Sequence, residues 1–477
     1  MNKTLGLLTN SNRTRKQKKP PALAAGAEST LQRVGLSGPT SATLWPTVLL
    51  AWLVMDSPLA ASSTGGGLYM WGSNQHGQLA RRGGDAASPV RSQGAGDWDG
   101  LRFVELALGG GHSVARDADG NVWVWGWNAK GQLGTQPVEE HGGREHSCRP
   151  ARVAGLPVCT RIAAGHESSF AISASGDLFA FGALSGGAAL KGSATSIREA
   201  HKLSDDLDAA LDGALQDDGV HSIETRVRRR FVDVDAGVFH AAAVTEDGDC
   251  VCWGKHGADT AALEAHQHDG QDVIVARQTN GVLVWKPSDG AKILEVACGW
   301  RHTVARDERG RVWGFGDNRR GQLLPASGPE ASASGCVGGP TPGRQDRVAV
   351  PRLLRVFGDN SDALAVKIDA GWSHTLVMSR GGRLVSFGRS DMGQCAPFEG
   401  VWDDACAGSE MVLARRGTSI FAAGWNEHGN LGIGPQQGSG HQFVPQPVAV
   451  SLASAVDLVM AAGGGHSGLF SVSGVAQ

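Results

Sequence analysis

The sequence predicts an all-β protein: a seven-bladed β-propeller whose first and last strands share one blade. The first observation is a repeat, because glycines follow His112 at +8, +14 and +19 and follow His302 and His374 at the same offsets. The second is that seven first halves and seven second halves of this repeat occur along the chain. The third is that the pattern begins with a second half and ends with a first half. A fixed period of this length is typical of repeat architectures.

The chain before the repeats, residues 1–54, differs from them in charge. Up to Met55 it holds seven Lys/Arg and one acid, including a basic run at residues 13–19, whereas the remainder carries 37 basic and 46 acidic residues. An apolar run at residues 47–55 is too short to span a bilayer. We expect a disordered extension or a targeting segment (secretory, organellar or nuclear), unless translation starts at Met55.

Each repeat has the pattern of two adjacent strands. Residues 122–126 (VWVWG) alternate as a strand should. The preceding turn ends at Gly120, where a hairpin needs a residue that tolerates positive φ. Gly126 follows an aromatic residue at a strand end, where the backbone must turn sharply or approach a neighbour closely. We therefore expect most tryptophans beside these glycines to serve packing.

The two sets of half-repeats can be followed around the whole chain. The first halves turn at Gly109, Gly165, Gly237, Gly299, Gly371, Gly408 and Gly463. The second halves end at Gly72, Gly126, Gly182, Gly254, Gly316, Gly388 and Gly424. Ser168 and Met411 replace the usual histidine, and the sixth copy is one residue short, so we expect distortion in those blades. Pairing residues 68–80 with residues 456–472 closes the ring.

Three insertions interrupt the blades, which otherwise should have about four short strands each. Residues 192–230 contain a predicted helix around residues 197–215. Residues 256–290 contain an Asn-Gly pair that begins at Asn280, which is a strong hairpin signal. This hairpin is either an ordinary outer pair of strands or a protruding element that contacts a partner. Residues 321–348 are rich in Gly, Ser and Pro.

Five stretches resemble the repeat family of the regulator of chromosome condensation, a seven-bladed propeller. They are LYMWGSNQHGQLA, WVWGWNAKGQLG, CGWRHTVARDERGRVWGFGDNRRGQLL, SFGRSDMGQCA and AAGWNEHGNLGIG. Their order and spacing most resemble the secretion-regulating guanine nucleotide exchange factors and the alpha-tubulin suppressor-like proteins. The resemblance covers residues 68–472. In the name-giving member a β-wedge pries at the nucleotide site of a small GTPase, so it implies a similar role for the hairpin at Asn280.

No catalytic motif accompanies the repeats, so the sequence leaves open whether the protein is an enzyme. The glycine-rich stretches lack a P-loop pattern, and no nucleophile elbow or zinc-protease motif occurs. The eight cysteines are scattered without a CxxC pair, which favours reduced thiols and a cytoplasmic or nuclear location. We expect no cofactor and no metal. The recurrent histidines lie one per repeat, and we expect each imidazole to bond to backbone at its turn.

What remains is a surface formed by the two residues after each first-half glycine. Tryptophan, arginine and phenylalanine gather in the third to sixth copies, and exposed Trp and Arg are typical interface anchors. The alternative is that these residues serve local packing. The predicted partner-binding residues are Trp300, Arg301, Trp372, Phe239, Glu167 and Glu410, with Asn280 on the hairpin.

The sequence therefore predicts a protein-binding propeller that serves as an exchange factor or adaptor for a small GTPase. The alternative is a chromatin- or tubulin-linked scaffold without exchange activity. The net charge of −3 argues against specific nucleic-acid binding by the propeller, and no membrane span is predicted. CGWRHT and AGWSHT resemble a loop of the plant UV-B photoreceptor, but Ser409-Glu410 stands where a third tryptophan is needed, so we do not expect photoreception.

Overall fold

Within the described residues, seven antiparallel sheets surround a central channel, as the repeat count predicts. The computed structural model describes residues 67–92, 101–135, 145–183, 197–212, 228–255, 274–279, 281–323, 346–357, 361–435, 440–450 and 458–471. The expected N-terminal extension, residues 1–54, and Asn280 lie outside these ranges. We number the sheets as blades 1 to 7 in the order of their innermost strands.

Blade 7 is built from strands near both ends of the chain. Its strands, from the channel outward, are β27 (Leu458–Ala462), β28 (His466–Ser471), β1 (Leu68–Gly72) and β2 (Ala86–Arg91). β1 pairs with β28 from Leu68 opposite Phe470 to Gly72 opposite His466. This shared sheet confirms the predicted closure, which joins the first blade to the last without a free edge between them.

Four further blades have the regular ladder of four strands in chain order. Blade 1 contains β3 (Phe103–Leu108), β4 (His112–Asp117), β5 (Val122–Trp127) and β6 (His146–Arg152). Blade 2 contains β7 (Cys159–Ala164), β8 (Ser168–Ser173), β9 (Leu178–Gly182) and β10 (Ile197–Lys202). Blade 4 contains β16 (Ile293–Cys298), β17 (His302–Asp307), β18 (Val312–Asp317) and β19 (Arg347–Leu354). Blade 6 contains β23 (Asp404–Ala407), β24 (Met411–Arg416), β25 (Ser419–Gly424) and β26 (Gln442–Pro447).

Two blades depart from four strands in the described part of the chain. Blade 3 has β11 (Phe231–Ala236), β12 (His240–Thr245), β13 (Cys250–Gly254), β14 (Ile274–Thr279) and β15 (Val282–Pro287), in the order β11-β12-β13-β15-β14. The predicted hairpin is thus the outer pair of strands of blade 3. Blade 5 has β20 (Ala365–Ala370), β21 (His374–Ser379) and β22 (Leu384–Gly388), preceded by a 3-10 turn at Ser361–Ala363.

The innermost strands of blades 1 to 5 each contain a β-bulge near their start. In β11, for example, Phe231 lies opposite Thr245 and Asp233 lies opposite Val244, so Val232 is an extra residue. A bulge turns the extra side chain away from the regular alternation. The extra residues are Val104, Thr160, Val232, Leu294 and Val366. In four of these strands the residue after the bulge is charged and lines the channel: Glu105, Arg161, Glu295 and Lys367.

Glycine and tryptophan fix the distances between strands as expected. Gly126 has a φ of 102°, and a Cβ there would lie 2.6 Å from the carbonyl oxygen of Gly111. Trp71 and Trp125 are fully buried, and the Trp71 indole donates a hydrogen bond to the Asn430 carbonyl in the neighbouring blade (2.8 Å). The prediction that these tryptophans serve packing is confirmed.

The insertion after β9 differs from its prediction. Residues Ile197–Lys202 form the outer strand of blade 2, and the helix α1 (Leu203–Asp212) begins only after it. Leu203, Leu207 and Leu211 are buried in one cluster with residues of blades 2 and 3. The predicted helix started six residues too early, because strand pairing with β9 outweighs helix propensity over Ile197–Lys202. No helix among the described residues has the length and apolarity needed to cross a membrane.

Candidate docking face and channel

The loops between first and second strands form one end of the propeller, which we call the upper face. Neighbouring loops are joined by backbone hydrogen bonds that run around the ring. Trp300 donates its N–H to the Trp372 carbonyl (2.9 Å), and Trp372 donates to the Ser409 carbonyl (2.8 Å). His166 likewise donates to the Gly237 carbonyl (3.2 Å). These bonds hold the side chains of the upper face in fixed relative positions.

Four of the predicted residues form one cluster, which we call the platform: Phe239, Trp300, Arg301 and Trp372. The Trp300 and Trp372 rings meet edge to face with centroids 5.1 Å apart, and Phe239 lies 6.3 Å from Trp300. The Arg301 guanidinium lies 4.7 Å above the Phe239 ring, which is a cation–π distance. Trp300 is 38% exposed. The structure thus brings residues from blades 3, 4 and 5 into one partly exposed aromatic surface.

The two predicted acidic residues lie in different surroundings. Glu167 is half-buried on the loop of blade 2, beside His166, whose ring lies 6.1 Å from Trp372. Glu410 is only 4% exposed and accepts hydrogen bonds from Arg389 and Gln394. Burial raises the pKa of Glu410, and Arg389 opposes this shift. Because its carboxylate is already satisfied inside the protein, we leave Glu410 out of the platform.

The recurrent histidines link one blade to the next. The Nε2 atoms of four of them lie within hydrogen-bond distance of a serine or threonine hydroxyl in the following blade. The pairs are His466–Ser113 (3.0 Å), His112–Ser169 (2.8 Å), His240–Thr303 (2.9 Å) and His302–Thr375 (3.1 Å). We expected each imidazole to bond to backbone at its own turn. The structure instead places a hydroxyl of the next blade beside each of these nitrogens. Burial lowers the pKa of His112, His302 and His466, and a backbone group of the next blade partly opposes this shift.

The hydroxyl groups define which nitrogen carries the proton. Thr375 donates to the carbonyl of Gln322 (2.7 Å), so its oxygen must accept the N–H of His302. Burial lowers the pKa of His302 to about 4, and the pKa values of His112, His374 and His466 to about 3. These imidazoles are therefore neutral, and those of His112, His302 and His466 link neighbouring blades. No group of three or more potential metal ligands occurs among the described residues.

Charged residues line the lower part of the channel as a belt of ion pairs. Arg161 contacts Glu105 (3.1 Å) on one side and Asp233 (2.7 Å) on the other, and Lys367 contacts Asp404 (2.6 Å). These residues follow the bulges or occupy the equivalent position in their strands. The belt therefore ties blades 1 to 3 together, and blade 5 to blade 6, through pairs of opposite charge.

Above the belt, two positions before the loop glycines, lies a level of the channel that we call the chamber. Five of the seven side chains at this level are small: Ala107, Ala163, Ala297, Cys406 and Ala461. The other two are Asp235 and Asp369. The channel cavity has a volume of about 330 Å³, and Trp372 and His166 line it at the upper face. One tryptophan thus belongs to both the platform and the channel.

The two carboxylates of the chamber are bound by backbone amides. Asp235 accepts the N–H of Cys298 (2.7 Å), and Asp369 accepts the N–H of Ala407 (2.9 Å) in the next blade. Burial, followed by the negative charge of Asp369, raises the pKa of Asp235 to about 8. Burial also raises the pKa of Asp369. These residues were not among the predicted site residues, although the pattern DVDA in one copy and KIDA in another places an acid two residues before the glycine.

Comparison with known proteins agrees with this geometry. The profile of the RCC1-like domain matches residues 67–469. The chain belongs to the RCC1-like domain family. The resemblance found in the sequence is thereby confirmed, and it extends over the part of the chain that forms the blades.

Individual relatives in this family have different functions. The ultraviolet-B receptor UVR8 of Arabidopsis thaliana is 26% identical over 76% of this chain and 74% of its own length. The secretion-regulating guanine nucleotide exchange factor of Bos taurus is 23% identical over 85% of this chain and 83% of its own. The crystal structure of Prp20p from Saccharomyces cerevisiae superimposes with a TM-score of 0.62 at 18% identity, over 85% of this chain and 91% of that one. That structural likeness concerns the fold.

Proposed function

We propose that this RCC1-like propeller binds a protein partner through the platform on its upper face. The observation that carries the proposal is the exposed Trp300, which is held edge to face by Trp372 and flanked by Arg301 over Phe239. Tryptophan and arginine are enriched among residues that dominate binding energy in protein interfaces. Glu167, half-buried on the next loop but one, is proposed to lie at the edge of the same contact.

We further propose that the partner is a small GTPase and that binding accelerates release of its nucleotide. Similarity to the secretion-regulating guanine nucleotide exchange factor over most of both chains supports this proposal. Prp20p, which shares the fold, binds Gsp1p and histones. Exchange requires that the factor stabilise the nucleotide-free GTPase, and it needs no acid–base residues. A role for the hairpin at Asn280, and a cytoplasmic or nuclear location, stay predictions.

The test is the release of fluorescent GDP from a panel of small GTPases. We expect the wild-type protein to accelerate GDP release from at least one member of the panel. The acceleration by the double variant Trp300→Ala/Arg301→Ala should be at least tenfold smaller. Phe443→Ala/Val444→Ala is the matched control, because both side chains are exposed apolar groups on the outer strand of blade 6. Equal loss in the control, or no loss in the platform variant, would contradict the proposed site.

The alternative function is a scaffold that binds chromatin or tubulin without exchange activity. It predicts stable binding of histones or tubulin and no effect on GDP release from any GTPase. We do not propose photoreception, because a UV-B site would need further tryptophans in the loops next to Trp300 and Trp372. The loop of blade 6 has Ser409-Glu410 at these positions, and the loop of blade 3 has Val238-Phe239.

A further inference from the structure

The chamber beneath the platform differs from the belt below it in how its charges are balanced. In the belt, Arg161 and Lys367 pair with carboxylates at 2.6–3.1 Å. In the chamber, neither Asp235 nor Asp369 has an ion-pair partner among the described residues, and their hydrogen bonds come from backbone amides. Lys367 lines the same cavity, and its charge partly opposes the rise in the pKa of Asp369, but its ammonium group is paired with Asp404 (2.6 Å). Confined carboxylates that lack an ion-pair partner of their own destabilise the fold, and a cation that enters beside them offsets this cost.

A group that enters the cavity from the upper face has to pass between the rings of His166 and Trp372, whose centroids are 6.1 Å apart. Small side chains leave a channel cavity of about 330 Å³, which is at the lower end of the range of small-molecule sites. Trp372 and His166 line it at the upper end. An aromatic face near a carboxylate pair attracts an ammonium or guanidinium group both by cation–π contact and by charge. A cation that reached the chamber would therefore pass the platform.

We propose that the chamber receives a basic side chain, lysine or arginine, of the protein that docks on the platform. This inference rests on the proposed docking function and names the chemistry of the partner. Charge complementarity selects a basic group, because the chain after Met55 carries 46 acidic and 37 basic residues and the chamber adds two carboxylates at the point of entry. The partner residue would lie between Asp235 and Asp369, with its aliphatic stem against Trp372.

The first test uses small probes and the full chain. Nα-acetyl-arginine methylamide, the corresponding lysine probe and the norleucine probe are titrated by calorimetry at pH 7.5 in two buffers of different ionisation enthalpy. We expect the two basic probes to bind saturably and the norleucine probe not to bind. Binding should release protons, because a cation beside Asp235 favours its ionised form. Absence of binding by the basic probes would overturn the proposal.

The second test uses Asp235→Asn/Asp369→Asn, which keeps a carbonyl acceptor for the backbone amides. We expect at least a tenfold loss of affinity for the basic probes and loss of the proton release. The melting temperature should not fall, since the substitution removes the repulsion between two carboxylates. Asp247→Asn, in an exposed turn at the opposite end of blade 3, is the matched control and should bind like the wild type. Probe binding that survives the double substitution contradicts the site.

A third arm separates a partner side chain from a free cation and from failure of the proposed function. If spermidine binds more tightly than the amino-acid probes, and if Trp372→Ala leaves the affinity for spermidine unchanged, the occupant is a free polyamine and the proposal is wrong. If Trp300→Ala/Arg301→Ala abolishes partner binding while Asp235→Asn/Asp369→Asn retains it, the docking function stands and the basic anchor does not. If neither variant affects partner binding, the docking site is elsewhere and the basic anchor is refuted as well, and binding of the basic probes would then show only that the chamber admits a free cation.

Discussion

At the scale of single residues, the histidine–hydroxyl pairs explain why histidine recurs in this repeat. Each pair satisfies two polar groups at a buried seam. In three of the four pairs the hydroxyl, on Ser113, Ser169 or Thr375, also donates to a carbonyl of the preceding blade. The seam after His374 lacks this link, since the equivalent position in blade 6 is Val412. The sequence therefore contains an internal comparison between an intact and an incomplete link.

Thr375→Val should destabilise the protein by about 1–3 kcal/mol, because it leaves the His302 N–H and the Gln322 carbonyl buried without their partner. Val412→Thr, which adds the hydroxyl at the seam that lacks it, should be neutral or stabilising by up to about 1 kcal/mol. Urea unfolding of both variants measures the difference. A Thr375→Val variant as stable as the wild type would show that the histidine–hydroxyl link contributes nothing to the free energy of unfolding.

Acid should weaken the fold through the buried histidines. The pKa of His302 is about 4 in the folded protein and about 6.5 when unfolded, so unfolding favours protonation. The stabilisation is complete above pH ~6.5 and is lost as the pH falls toward 4. Between pH 7.5 and 5 the wild type should lose about 2 kcal/mol more than His302→Gln, whose amide does not titrate. Parallel pH profiles of the two proteins would contradict this account.

Residue type and position alone predicted that Trp300 and Arg301 lie at the surface, but they did not predict that Glu410 is buried. Trp300 and Arg301 are large, they follow a loop glycine, and the structure leaves both partly exposed beside Phe239. Glu410 occupies the equivalent place in a shorter copy, where Arg389 and Gln394 draw the carboxylate inward. That difference depends on side chains from the loop of the preceding blade, which the sequence of one copy does not indicate.

At the scale of strands, the bulges determine which side chains reach the channel. Simple alternation in residues 231–236 would place Val232 and Val234 on the same face. The bulge instead leaves Val232 49% exposed and Val234 buried, while Asp235 lines the channel. The sequence predicted the strands but not the bulges, because an extra residue in a pair becomes visible only when the register of both strands is known.

The strand-end glycines should be irreplaceable where backbones meet closely. Gly388 has a φ of 127°, and a Cβ there would lie 2.5 Å from the Ser373 carbonyl oxygen. We expect Gly388→Ala to cost more than about 3 kcal/mol, or to prevent folding. Gly155 also has positive φ (78°) but open space around it, so Gly155→Ala should cost about 1 kcal/mol. Similar unfolding midpoints for both variants would mean that close approach does not matter.

At the scale of the whole molecule, the sequence predicted the ring because its two ends are complementary halves of one repeat. The pairing of β1 with β28 joins residues about 400 positions apart and turns an open array into a closed one. What the sequence could not predict was the interior of the ring. The belt and the chamber arise from seven strands that are distant in sequence, so their charges come together only in the closed structure.

Removing the closing strands should open the ring. A chain that ends at residue 457 lacks β27 and β28, which leaves β1 and β2 without the inner half of their sheet. We expect loss of cooperative thermal unfolding, followed by near-UV circular dichroism, because the inner faces of blades 1 and 6 lose their packing. A synthetic peptide of residues 458–471 should restore both signals. Unchanged unfolding of the truncated chain would contradict the shared blade as a structural requirement.

The central claim is that the platform is where a protein partner docks. The most direct measurement is the affinity of the full chain for the partner identified in the exchange or binding assays. The affinity is compared among the wild type, the platform variant Trp300→Ala/Arg301→Ala and the control variant Phe443→Ala/Val444→Ala on the outer strand of blade 6. Our account predicts at least a tenfold weaker affinity for the platform variant, an unchanged melting temperature, and wild-type affinity for the control. Wild-type affinity in the platform variant, or unfolding of that variant, would show that these residues are packing and that the partner binds elsewhere.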